Sequence, residues 1–176
     1  SEYLPYGLAG IGELHPSSQE FNLDDPKLAP FWDTLIKYKL PLTLHASEPV
    51  GHSYTGKGDV SLLKLTDFIT NNPQLKIICA HWGGGLLFYN LMPEISSILT
   101  NTYFDTATSN YLYDDSIFSI GPQLITPDKI IFGSDYPIIT QKKVLKSLVS
   151  KIKDKTIQEN ILGKNIKNIL KNINKI

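Results

Sequence analysis

The sequence predicts an α/β fold in which parallel strands alternate with helices, and two observations carry that prediction. Short β-rich apolar runs alternate along the chain with longer stretches of helical periodicity, the pattern of successive βα units. Each apolar run also closes on a residue that can bind metal or move a proton: Glu13, His45, His81, Asp105 and Asp135. The intervals between them, 32, 36, 24 and 30 residues, fit units of roughly 30 residues each. An open doubly wound sheet and part of an eight-stranded barrel both satisfy this pattern.

Taken in order, LAGIGEL (8–14) is a short apolar run that stops before Pro16. Leu28, Phe31, Trp32, Leu35 and Ile36 then recur at three- and four-residue spacings, which predicts a helix. PLTLHA (41–46) is the next strand, followed by a Gly-rich loop and a helix carrying Leu62, Leu63, Leu65, Phe68 and Ile69. LKIICAH (75–81) is almost continuously apolar, as expected of a strand covered on both faces. The turn Gly83–Gly85 is expected to open a helix running through Leu91 and Ile98, and NTYFDTA (101–107) and KIIFGSD (129–135) repeat the strand pattern. From Thr140 on, two or three lysine-faced helices are predicted, with apolar stripes at Val144, Leu145, Leu148 and Ile152 and later at Ile166, Ile169 and Leu170. No low-complexity linker interrupts residues 1–176, which read as a single domain.

Charge is unevenly distributed. Residues 1–140 hold 15 acids and 7 lysines, whereas residues 141–176 hold 10 lysines and 2 acids. Every basic residue is lysine, so the bidentate fork favoured for phosphate and base-edge recognition is absent. Nucleic-acid binding is not expected, because lysines on the outer faces of terminal amphipathic helices account for the basic end. No apolar run approaches the roughly 18 to 20 residues of a membrane helix, and SEYLPYG lacks the features of a signal peptide. One cysteine forms no internal disulfide, and a cytoplasmic protein is the expectation.

Burying imidazoles and carboxylates at the ends of apolar strands is costly unless they are paired or coordinated. In a parallel barrel all strand C-termini converge on one face, where active sites are assembled. A ring of such groups suits Zn²⁺, Mn²⁺ or another divalent ion, which would lower the pKa of a bound water towards about 7. Each residue has a plainer reading too. His45 alone would be a hydrogen-bonded core histidine, and Asp135 alone an N-cap for the next helix. Asp105, flanked by hydroxyl-bearing neighbours in TYFDTATSN, is as well suited to orienting a ligand as to being one.

LPLTLHASEP, IICAHWGGG, NTYFDTA and IIFGSDYP, ending in ILGKNIKNIL, resemble the amidohydrolase 2 family of the metal-dependent hydrolase superfamily over essentially the whole chain. The resemblance implies a (β/α)₈ TIM barrel, of which the strands here correspond to strands four to eight. It implies that His45 is a metal ligand and that His81 ligates metal or stands beside it as a proton donor and acceptor. Asp135 is implied to bind the metal and serve as general base, and Glu13 to sit where a carboxylate bridges two metals. Members of the family begin with a strand bearing His-x-His, and among His15, His45, His52 and His81 no such pair exists. The expectation is therefore the second part of a barrel, catalytically incomplete alone, that associates with itself or with a chain supplying strands one to three.

GHSYTGKG (51–58) matches part of a phosphate-binding loop, but Gly58 stands where Ser or Thr would hold magnesium. A substrate-contacting loop with His52, Tyr54 and Lys57 is the better expectation, with Trp82 beside His81 as a further substrate contact. Cys79, two residues before His81, points to the same side of its strand, yet within a buried strand a core thiol is expected rather than a nucleophile. The activity expected is metal-dependent hydrolysis of a small amide, lactone or ester, with Asp135 and His81 catalytic and His45, His81, Asp135 and Glu13 holding the metal. Non-oxidative decarboxylation of an aromatic or enoic acid is the alternative.

Overall fold

The computed structural model describes residues 3–171 and 173. Its centre is a five-stranded parallel sheet in the order β1-β2-β3-β4-β5. The strands are β1 (Ile11–Leu14), β2 (Leu42–Leu44), β3 (Ile77–Cys79), β4 (Thr102–Asp105) and β5 (Ile130–Ile131). Leu42 pairs with Ile77, Ile77 with Thr102, and Phe104 with Ile130. Because sequential strands are neighbours and all run the same way, all their C-terminal ends fall on one edge.

Helices α1 (Ala29–Tyr38) and α2 (Leu62–Asn71) connect the first three strands, and α3 (Pro93–Ile98) precedes β4. Between β4 and β5 lie α4 (Ser109–Leu112) and α5 (Ile117–Leu124), and α6 (Gln141–Lys151), α7 (Lys155–Glu159) and α8 (Asn165–Lys171) end the chain. The local signals for these helices are ordinary ones. Ser61 and Thr140 cap α2 and α6 by accepting from the backbone N–H three residues on, and Asp154 caps α7. Lys39 closes α1 in the left-handed conformation.

Alternation along the strands separates two apolar clusters. Leu42, Leu44, Ile77, Cys79 and Phe104 join Trp32, Leu35, Leu65, Phe68, Leu86, Phe118, Val144 and Leu148 in the main core. Ile78 and Ile131, which point the other way, meet Ile169 of α8, with Tyr103 and Ile166 packed against them. The expectation that 75–81 is covered on both faces is met in this way.

Three segments differ from the sequence pattern. The stretch after β3 does not open directly into a helix: His81–Leu91 is a run of tight 3₁₀ turns, with Trp82 and Gly83–Gly85 in left-handed conformations, and the α-helix begins only at Pro93. Packing forces this path, since a Cβ on Gly84 would lie 2.5 Å from the Ser47 carbonyl oxygen. β5 is shorter than KIIFGSD suggests because its next backbone groups have other partners. Phe132 N–H donates to Ile161 O, and Gly133 exchanges hydrogen bonds with the Thr106 hydroxyl. Finally, Leu63 and Leu145 face outward, at 71% and 39% exposure, rather than joining the core with their neighbours. The lysine-rich end forms α6–α8 as expected, although positions 172 and 174–176 lie outside the described residues.

Candidate metal centre at the strand ends

The parallel ladder continues past the ends of the strands and sets the site residues in place. His45 N–H donates to Leu14 O at 2.8 Å, Ala80 N–H to Leu44 O at 2.9 Å, and Thr106 N–H to Ile131 O at 3.0 Å. Glu13, His45 and His81 consequently meet on one edge. His45 Nδ1 lies 2.7 Å from Glu13 Oε1, and His81 Nε2 lies 3.5 Å from the same oxygen. One ligand atom from each of the three falls within 4.8 Å of the others.

The outer sides of both rings are also occupied. His45 Nε2 is 2.8 Å from Ser47 Oγ, which accepts from Gly58 N–H at 2.8 Å. His81 Nδ1 is 3.3 Å from Ala107 O and 3.1 Å from Thr108 Oγ1. Each ring therefore spends one nitrogen on a protein oxygen and turns the other towards Glu13. A carboxylate with two imidazoles oriented through their far nitrogens is a donor set that suits a divalent cation.

Electrostatics point the same way. Burial works against a charged Glu13, but hydrogen bonds from His45 and His81 outweigh it and hold the carboxyl down at about 2. Burial likewise opposes charge on His81, yet Glu13 and the nearby Asp105 push its imidazole up to about 9. The cluster thus attracts positive charge, here a proton. Asp105, half-buried at the end of β4, is pushed up to about 6 by burial, against the pull of His81 and two backbone N–H groups. Its Oδ1 accepts from His81 N–H and Ala107 N–H, both at 2.9 Å, so its contact is with the backbone that carries His81.

Asp135 reaches the cluster through Thr108, whose hydroxyl donates to Asp135 Oδ2 at 2.7 Å. A cavity of about 520 Å³ opens over these groups, lined among others by Glu13, His15, His45, His52, Tyr54, His81, Thr108 and Asp135. His52 and Tyr54 are in its wall. Lys57 and Trp82 stand outside that lining. The Lys57 ammonium donates to Val50 O and His52 O and so ties the loop to itself. Trp82 is 1% exposed, and its indole N–H donates to Ser109 Oγ at 2.7 Å, which makes it a core residue. Cys79 is fully buried in the main core, and burial pushes its thiol far up.

Two contributors escaped the sequence reading. The His15 ring stacks on His45 at 3.9 Å between centroids and 16° between planes. Its Nδ1 accepts from Ser18 N–H, and its Nε2 donates to Gly56 O at 2.9 Å. The signal was present in GELH, since alternate residues on a strand share a side. Thr108 had no such signal: it lies beyond the end of β4 and faces the site only because its backbone turns left-handed, at φ 56°.

A parallel sheet with a carboxylate–histidine cluster on the C-terminal edge defines a partial (β/α)₈ barrel with a candidate metal site. The family model of the amidohydrolases matches residues 4–171, and the chain belongs to that family. A 2-amino-3-carboxymuconate-6-semialdehyde decarboxylase from Dictyostelium discoideum is 25% identical over 92% of this chain and 53% of its own length. Among solved structures, an uncharacterized TIM-barrel protein from Bordetella bronchiseptica superposes with a TM-score of 0.72 at 18% identity, covering 97% of this chain and 60% of that one. A dihydroxybenzoic acid decarboxylase from Polaromonas sp. JS666, solved with bound manganese and the inhibitor 2-nitroresorcinol, gives 0.69 at 19% identity, over 86% and 55%. The chain thus spans about half the length of the curated relative it matches. Among the described residues no helix is long and apolar enough to cross a membrane.

Proposed function

We propose that this chain carries the metal-binding and proton-transfer part of a metal-dependent, non-oxidative decarboxylase acting on a small aromatic or enoic acid. The observation that carries the reading is the convergence of Glu13, His45 and His81 on one point of the strand-end edge. Decarboxylation takes precedence over the hydrolysis that the family resemblance first suggested, because the Dictyostelium relative and the manganese-bound Polaromonas structure are both named decarboxylases.

Glu13, His45 and His81 would hold the cation, which supplies positive charge beside the substrate's carboxylate or a neighbouring oxygen. The remaining work falls to this chain's own groups. Loss of CO₂ leaves the bonding electron pair on carbon, and a proton must reach that carbon from a positioned acid. Asp135 lines the cavity and is linked to His81 through Thr108, which suits it to deliver that proton. His52 and Tyr54, from the loop over the cavity, would contact the substrate body.

The test is CO₂ release from a panel of hydroxylated benzoates and enoic acids by the manganese-loaded chain. It is run alone and mixed with a separately produced segment corresponding to the portion of the relatives that this chain does not match. Manganese-dependent CO₂ release that Asp135→Asn abolishes is expected. Turnover of esters or lactones with no CO₂ release from any acid would return the reading to hydrolysis.

A further inference from the structure

We propose that Thr108 is a positioning residue that joins His81 to Asp135, so that the ligand ring and the carboxylate are held in one orientation relative to each other; this rests on the reading of the site given above. The argument is one of donors and acceptors. A threonine hydroxyl has a single proton, and at 2.7 Å from Asp135 Oδ2 that proton is given to the carboxylate. The hydroxyl then has only lone pairs to offer His81 Nδ1, 3.1 Å away. The other neighbour of Nδ1 is the Ala107 carbonyl at 3.3 Å, which can only accept. Both neighbours being acceptors, Nδ1 carries a proton, and Nε2 is the nitrogen that faces Glu13 at 3.5 Å.

The backbone around Thr108 supports a role beyond filling space. A β-branched residue seldom adopts positive φ, yet Thr108 sits at φ 56° and ψ 11°. His81 and Asp135 share the left-handed conformation, at φ 56° and φ 65°. The three follow β3, β4 and β5 in turn, and the common turn brings them together. For the backbone alone glycine would serve better at position 108; the hydroxyl is what threonine adds.

The three groups form one fixed chain of donors: His81 Nδ1–H donates to Thr108 Oγ1, and the hydroxyl donates to Asp135 Oδ2. The ring keeps its Nδ1 proton and presents Nε2 to Glu13, so Thr108 sets the orientation of the ring and the direction of the Asp135 carboxylate together.

The experiment is nitrogen-15 and proton NMR of the His81 ring in the metal-free full chain, in EDTA, with the fold checked by circular dichroism. Wild type and Thr108→Ser should keep a slowly exchanging Nδ1 proton, and Thr108→Gly should speed its exchange by roughly tenfold or more. Asp135→Asn should shift the His81 ring resonances in the wild-type background and leave them in place in Thr108→Gly. If Thr108→Gly fails to fold, Thr108→Val, which keeps the branched shape without the hydroxyl, takes its place. Unchanged exchange in the hydroxyl-free variant, or an Asp135→Asn shift of equal size in both backgrounds, overturns the proposal. Zinc titration of the wild-type chain judges the metal reading separately: absence of binding would sink that reading, while the ring-proton results would still decide the role of Thr108.

Discussion

His81 and its supports follow β3 and β4, inside the sheet, whereas Glu13 lies on β1 at its edge. The His81 side chain is 6% exposed, its backbone N–H is held by the half-buried Asp105, and its ring is held by Ala107 and Thr108. Glu13 belongs to β1, the edge strand of the sheet, and its side chain is 34% exposed. Its resolved contacts at the site are the two histidines themselves. The inner side is therefore built into the fold, whereas the outer ligand is held by the charge of the groups it faces. Metal affinity and fold stability should separate along this line.

The largest effect is expected where the inner side is tightest. Gly84 has φ +58°, and a Cβ there would meet Ser47 backbone atoms at 2.5–2.9 Å. Gly84→Ala should cost about 2–5 kcal/mol, summing the left-handed penalty and an overpacking term, as measured by urea unfolding. It should also disturb His45, because Ser47 holds that ring. A variant within about 0.5 kcal/mol of wild type would show that this side yields easily.

Next in size is the contrast between Asp105 and Glu13. Asp105→Asn weakens a half-buried acceptor of two backbone N–H groups and should cost roughly 1–3 kcal/mol. Glu13→Gln in the metal-free chain should cost less than about 1 kcal/mol, as expected of a partly exposed ion pair. The same Glu13→Gln change should lower zinc affinity by roughly tenfold or more in calorimetry. If Glu13→Gln proves the more destabilising of the two, the comparison fails.

A smaller effect lies in the pH dependence of the metal-free chain. The His81 imidazole is raised from 6.5 to about 9, burial opposing and Glu13 and Asp105 favouring its charge. The folded state then binds the proton more tightly than the unfolded one, so this contribution is full below pH 6.5 and is lost as pH rises through 9. Urea midpoints in EDTA should decline across that window, and the decline should flatten in Glu13→Gln. An identical slope in both would mean that Glu13 is not the partner that matters. The smallest effect is expected at an exposed apolar position: Leu145→Ala, on the lysine-bearing helix α6 and 39% exposed, should stay within about 0.5 kcal/mol of wild type in the same melts.

Much of the site was legible in the residues. Glu13, His45 and His81 each close an apolar run, and in a parallel sheet such positions share an edge, so their convergence follows from topology alone. His52 and Tyr54 were legible as loop residues downstream of a strand-end ligand. Lys57 and Trp82 were read as substrate contacts because of their neighbours, and the structure gives their polar atoms other partners: carbonyls of the same loop for Lys57 and the Ser109 hydroxyl for Trp82. The helix expected from Gly83 onward failed for a related reason, since helical spacing reports only local contacts and the glycines there answer to Ser47 and Phe104.

By itself the sequence determined the alternation of strands and helices, the parallel order and the chemistry offered at each strand end, because periodicity and strand-end position are local properties of the chain. Tertiary structure decided which of those groups meet. Whether His45 turns Nδ1 or Nε2 to Glu13, and whether Asp135 meets His81 directly or across Thr108, depends on strand register and on three left-handed turns. The hydrogen bonds that settle these questions join residues 27 and 32 positions apart, and no local pattern carries information over such an interval.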